Sequence, residues 1–160
     1  MDPLSVSSAC VGLIAGVSQL TLQISSFVST VRDARKDMDA VSRELTSLSL
    51  CLQTLRDDST NIEYPQGTKE TLIAVIQNCD SVTKQMETLL KKMSSGSLAR
   101  SAQWAMTGRD DMNKLRSSLE AHKAAIEIAL DMISMYVFTF PLHLISFLFF
   151  YEYSLRSHLA

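Results

Sequence analysis

The chain has 160 residues, 46% of them hydrophobic and 20% charged, with a formal net charge of -2. That length supports one domain of ordinary size with a real core. The near balance of charge, with no interleaving of basic and aromatic residues, excludes a nucleic-acid reader. Low Gly and Pro content and scarce β-branched alternation exclude a sheet-based fold and leave an all-α one.

Residues 3–31 contain no Asp, Glu, Lys, Arg or His. Written as a helix, they place Val6, Cys10, Leu13, Val17, Leu20, Ile24, Phe27 and Val31 at alternating spacings of four and three, one stripe for partner helices. Asp2 followed by Pro3 predicts the helix start, a capping acid before a first-turn proline. Gly12 and Gly16, with Ser8 four residues earlier, form a row of small residues that would let another backbone come close. The stretch is long enough for a bilayer, but its many Ser, Thr and Gln groups each cost about 0.5 to 2 kcal/mol to bury unpaired. A helix sheathed by a bundle is therefore expected rather than a permanent span. The Met1-Asp2 start lacks the basic region of a secretory signal.

The charged run Arg32-Asp33-Ala34-Arg35-Lys36-Asp37 ends this helix. A second follows over about 37–57, with Met38, Val41, Leu45, Leu48, Leu52 and Leu55 on one face and Asp39, Arg43, Glu44 and Gln53 on others. Asp57 to Asn61 supply acids and turn formers, and Tyr64-Pro65-Gln66-Gly67 is a breaker. Thr68 is expected to cap a third helix over 68–94, whose stripe is Leu72, Val75, Cys79, Val82, Met86, Leu89 and Met93. Lys91 and Lys92 suit the dipole at its end. A short helix over 98–107 carries the only tryptophan, Trp104, expected to lie as a lid over one end of the bundle. Gly108 then separates it from a last helix over 109–133 with Met112, Leu115, Leu119, His122, Ile126, Ala129 and Ile133 in its stripe. Short links between such helices predict an antiparallel four- to five-helix bundle over residues 1–131.

Residues 132–151 again lack Asp, Glu, Lys and Arg but are rich in Phe and Leu, and residues 152–160 form a polar terminus. Twenty such residues would just span a bilayer of about 30 Å. Basic residues are denser on the N-terminal side, as in a tail-anchored protein with a cytosolic bundle. The alternative is a translated intron: the codons of Met135-Tyr136-Val137 contain GTAYGT, a splice-donor pattern.

Cys10, Cys51 and Cys79 are odd in number and widely spaced, and each sits among apolar helical positions, the pattern of buried reduced thiols. Without C-x-x-C or H-x-x-x-H no metal site is expected. No phosphate-cradling loop, nucleophile elbow or His–acid pairing occurs, so no catalytic residue, cofactor or enzymatic activity is expected. Asp57-Asp58 and Asp110-Asp111 point to different helix faces and read as helix-end charges. His122 reads as a core or boundary residue.

Met1-Asp2-Pro3-Leu4-Ser5-Val6 opening an uncharged helix, and Leu45-Thr46-Ser47-Leu48 before a leucine run, resemble the fungal N-terminal domain of STAND (NACHT-type) proteins. This HeLo-like domain is also labelled the azaphilone pigment biosynthesis cluster protein L N-terminal domain. Gln103-Trp104-Ala105-Met106-Thr107-Gly108-Arg109-Asp110-Asp111, and Leu115-Arg116-Ser117-Ser118-Leu119-Glu120-Ala121-His122-Lys123, are similar to its Trp-containing turn and last helix. The resemblance covers about residues 1–131. It implies an N-terminal effector bundle that clusters when a receptor oligomerises, binding itself or related bundles. Its first helix, here residues 4–31, would act on membrane lipid in cell-death signalling. The face expected to do so comprises Val6, Gly12, Leu13, Gly16, Val17, Leu20, Ile24 and Phe27. No NTPase domain or repeat array follows, so a stand-alone bundle or a piece of a longer receptor is expected. The location expected is cytoplasmic, with membrane association through residues 132–151 if that segment is a true anchor.

Overall fold

The structure is a computed structural model that describes residues 5–61, 64, 66–94 and 100–158; the side chains of 60, 61, 66, 100 and 136–158 lie outside that description. Its elements are α1 (Val6–Thr30), a 3₁₀ turn (Arg32–Ala34), α2 (Arg35–Asn61), α3 (Gln66–Ser94), α4 (Arg100–Gln103), a π turn (Trp104–Gly108) and α5 (Arg109–His158). No strand occurs among the described residues, so the all-α expectation holds. The chain divides into two compact units, Met1–Glu127 and Ile128–Ala160. The division expected from hydropathy is 131/132.

In the first unit the helix directions follow from what meets at each level. Thr21 and Leu22 of α1 share a groove with Leu45 and Thr46 of α2, and Val17 and Ser18 lie along the same groove. Arg109 and Lys123 of α5 bond to Asp37 and Glu44 of α2, so α5 runs with α2. Asp111 to Leu115 lie beside Gln85 to Lys92, the C-terminal turns of α3, and Phe27 to Thr30 share a cleft with Leu90 to Ser94. The result is the expected up-down-up-down bundle, with α1 and α3 pointing one way and α2 and α5 the other.

The core is built from the stripes read in the sequence. Val6, Cys10, Leu13, Val17, Leu20, Ile24, Phe27 and Val31 are all buried, as are Met38, Val41, Leu45, Leu48, Leu52 and Leu55. In α3, Leu72, Cys79, Val82, Met86, Leu89 and Met93 are buried as expected; Ile76 takes the place of Val75, which is half-buried, and Thr83 and Leu90 are added inside. Thr83 tolerates burial because its hydroxyl donates to the Asp80 carbonyl at 2.9 Å. In α5, Met112, Leu119 and Ile126 are buried, while Leu115 and His122 are half-buried.

Helix ends depart from expectation where local hydrogen bonding decides. The Asp2–Pro3 start lies outside the described residues. Ser5 is the N-cap, its Oγ accepting the Ser8 N–H at 3.1 Å. Asp57 to Asn61 continue α2 instead of forming a turn, with the Ser59 hydroxyl donating to the Arg56 carbonyl at 2.8 Å. Thr68 is not a cap, because α3 already begins at Gln66. Gly108 does not break the chain into separate helices: α4, the π turn and α5 follow one another without a gap, as do the residues from 133 to His158.

Candidate functional site

α1 presents two different surfaces. Six of the eight residues expected on an interaction face, Val6, Leu13, Val17, Leu20, Ile24 and Phe27, are the buried stripe. Gly12 is exposed and Gly16 half-buried, and a Cβ at either would meet no atom within 4 Å outside its own helical turns. The small-residue row therefore has no partner among the described residues. These eight positions do not form one surface in the folded bundle, because a stripe with 3.6-residue periodicity cannot face inward and outward together.

The outward surface of α1 holds Val11 and Leu22, 52% and 73% exposed, with Ala15, Gln19 and Gly12 exposed between and beside them. It has no ionisable group along 25 residues. Four of its hydroxyls are turned back on the helix: Ser18 donates to the Ile14 carbonyl, Thr21 to Val17, Ser29 to Ser26 and Thr30 to Phe27, at 2.6–2.9 Å. Each such bond removes a donor that would otherwise need water. Covering this face thus costs less than its composition suggests. Beside it, a groove of about 420 Å³ between α1 and α2 is lined by Leu22, Leu45, Leu50 and neutral Ser, Thr and Gln residues. Leu50 is itself 59% exposed.

Trp104 closes the bundle at the C-terminal end of α1. It is fully buried, with its ring against Phe27 edge-on at 5.3 Å. Its indole N–H donates to Asp37 Oδ2 at 3.3 Å, and Arg109 Nε donates to the same oxygen at 2.8 Å. The π turn, one residue wider than an α turn, admits the ring. Gly108 makes room for it: a Cβ there would stand 2.6 Å from Trp104 Cε3. Asp37 was legible only as part of the charged run after the first helix, since nothing in its own stretch points to a tryptophan sixty-seven residues away.

A second polar contact joins α2 to α5. Lys123 Nζ lies 3.0 Å from Glu44 Oε2 and 3.1 Å from Ser47 Oγ, with Glu127 at 4.0 Å. Burial alone would lower the Lys123 pKa, but the Glu44 hydrogen bond and the charges of Glu44, Glu127 and Glu120 outweigh it and raise it. This is a charged clamp between helices, and no spacing rule reveals it from sequence.

Cys10 and Cys79 are buried and Cys51 is half-buried, all three free. Full burial of Cys51 was expected and is not found, because it lies at the edge of the α2 stripe, one residue before Leu52. Burial raises all three thiols, Cys10 to about 11 and Cys79 to about 12, with the Cys51 charge adding to both. Among the described residues no group of three or more His, Cys, Asp or Glu could hold a metal ion. α1 is long and apolar enough to cross a membrane, with a mean hydropathy of 1.5, yet it carries the core stripe. A core helix of a soluble protein has the same profile.

A family model described as pigment biosynthesis cluster protein PigL N-terminal matches residues 1–144. No curated protein and no solved structure matches.

Proposed function

The chain belongs to this PigL N-terminal family, and from that premise we propose that it is a non-enzymatic interaction domain that assembles with copies of itself or with related helical bundles. The observation that carries the reading is the outward face of α1: uncharged, with Val11 and Leu22 exposed, the Ser18, Thr21, Ser29 and Thr30 hydroxyls internally bonded, and Gly12 and Gly16 with no atom packed on them. Glycines in a water-facing helix interior each cost about 1 kcal/mol relative to Ala. A close-packed partner helix supplies the reason to keep them. The buried stripe holds α1 in the bundle and leaves this second face for the partner. On the resemblance to HeLo-like effectors, clustered first helices would then act on membrane lipid in signalling.

Sedimentation of the full chain in a non-ionic detergent tests the assembly. Gly12→Leu with Gly16→Leu should lower the assembled mass while leaving helix content intact; an unchanged mass rejects this face. Leakage of anionic liposomes by the same proteins tests the membrane step, which fails if the wild-type assembly releases no dye.

A second reading, a tail-anchored protein with the bundle as a scaffold, draws support from residues 132–151, helical throughout and without Asp, Glu, Lys or Arg. A fluorescent reporter fused to residues 132–160 should reach membranes, and a diffuse signal would remove it.

A further inference from the structure

We infer that the π turn Trp104–Gly108 is a two-state latch that holds or frees the C-terminal turns of α1. Three elements meet at it: Phe27 from α1, Asp37 from the first turn of α2 and Arg109 from the first turn of α5. Beyond Ile24, only Phe27 and Val31 fix the end of α1 and the residue after it in the core. The Trp104 ring covers Phe27, so withdrawing it loosens this end without touching the stripe from Val6 to Leu20.

The turn has an alternative register built in. A π turn holds one residue more than an α turn and survives where another contact compensates. Converting it to α geometry would rotate what precedes it by about 100° relative to α5. Trp104 and Arg109 could then no longer share the Asp37 carboxylate. Gly108 permits the closed form alone: a Cβ there would lie 2.6 Å and 3.2 Å from two ring carbons of Trp104 and 3.3 Å from Met93 Sδ. The Arg109–Asp37 pair is half-exposed on the arginine side, so ring burial is the main grip and the ion pair sets register.

The consequence of opening rests on the reading of α1 as the interaction helix: it adds Phe27 to the surface that α1 can offer. The latch itself is tested without assembly, using the full chain at a concentration where it is monomeric. Trp104 is the only tryptophan, so its fluorescence reports the latch directly. Gly108→Ala should shift emission to the red and admit acrylamide. Amide exchange at residues 24–31 should accelerate about tenfold or more, since the ring's packing on Phe27 is lost together with its hydrogen bond to Asp37, while residues 10–20 and 72–90 stay protected. Arg109→Gln adds no atoms to the core and should produce a smaller acceleration at the same residues. Buried fluorescence with unchanged exchange in Gly108→Ala would overturn the latch. So would acceleration spread evenly over α1, α2 and α3 in Arg109→Gln, which stands even if Gly108→Ala does not fold. A negative result leaves the Gly12 and Gly16 face in place; an unchanged mass in the glycine variants removes that face and leaves the latch.

Discussion

α1 and α2 bury stripes of the same kind, yet their outward faces differ. Both stripes repeat at threes and fours and end in side chains with almost no exposure, Leu20 and Leu48 among them. Outside, α2 carries Arg35, Lys36, Asp39 and Arg43, all exposed, whereas α1 carries no Asp, Glu, Lys, Arg or His. A helix kept only for its core contacts has no reason to drop charge from its wet side, where charge keeps proteins soluble. The inward stripes therefore account for the fold, and the difference between outward faces points to function.

If the inward stripes are equivalent, Leu20→Ala and Leu48→Ala should each destabilise by roughly 2–5 kcal/mol, read as a fall in the urea midpoint. A loss below 1 kcal/mol at Leu20 alone would mean that α1 is not a full member of the core. Alkaline pH should act on the packing that joins α1 to α3. Cys10 and Cys79 are held neutral with raised pKa values, about 11 and 12 against an ordinary 9.0. The unfolded chain then ionises first, so stability is full below about pH 9 and falls as pH rises from there through 11 to 12. Cys10→Ala should flatten that decline in urea titrations at successive pH values. Gly12→Ala, facing open space in a helix interior, should raise stability by about 1 kcal/mol. Leu22→Ala should change it by less than about 0.5 kcal/mol. A large loss at Leu22 would show that the outward face is already covered within the chain.

The helices and nearly all core positions were legible because amphipathic periodicity records burial directly: every residue expected in the α1 and α2 stripes is buried. The candidate site was only half legible. The small-residue row at Gly12 and Gly16 could be read, but the stripe was taken as the same surface, although 3.6-residue geometry puts the two glycines about 110° and 70° around the helix from the centre of the stripe, on its flank. The polarity of α1 was overcounted, since composition cannot show that Ser18 and Thr21 bond their own helix. Gly108 read as a separator between two helices. In the fold that glycine is buried and makes room for the indole. The Asp37–Arg109 and Glu44–Lys123 pairs join residues 72 and 79 positions apart, a separation on which local patterning is silent.

The most direct test sets the two outward faces against each other by cysteine cross-linking of the full chain in a Cys51→Ser background. Gly12→Cys on α1 and Arg43→Cys on α2 are compared under the same mild oxidant. The account predicts a disulfide-linked dimer for Gly12→Cys and a monomer for Arg43→Cys. Equal cross-linking at the two positions, or none at Gly12→Cys, would contradict it.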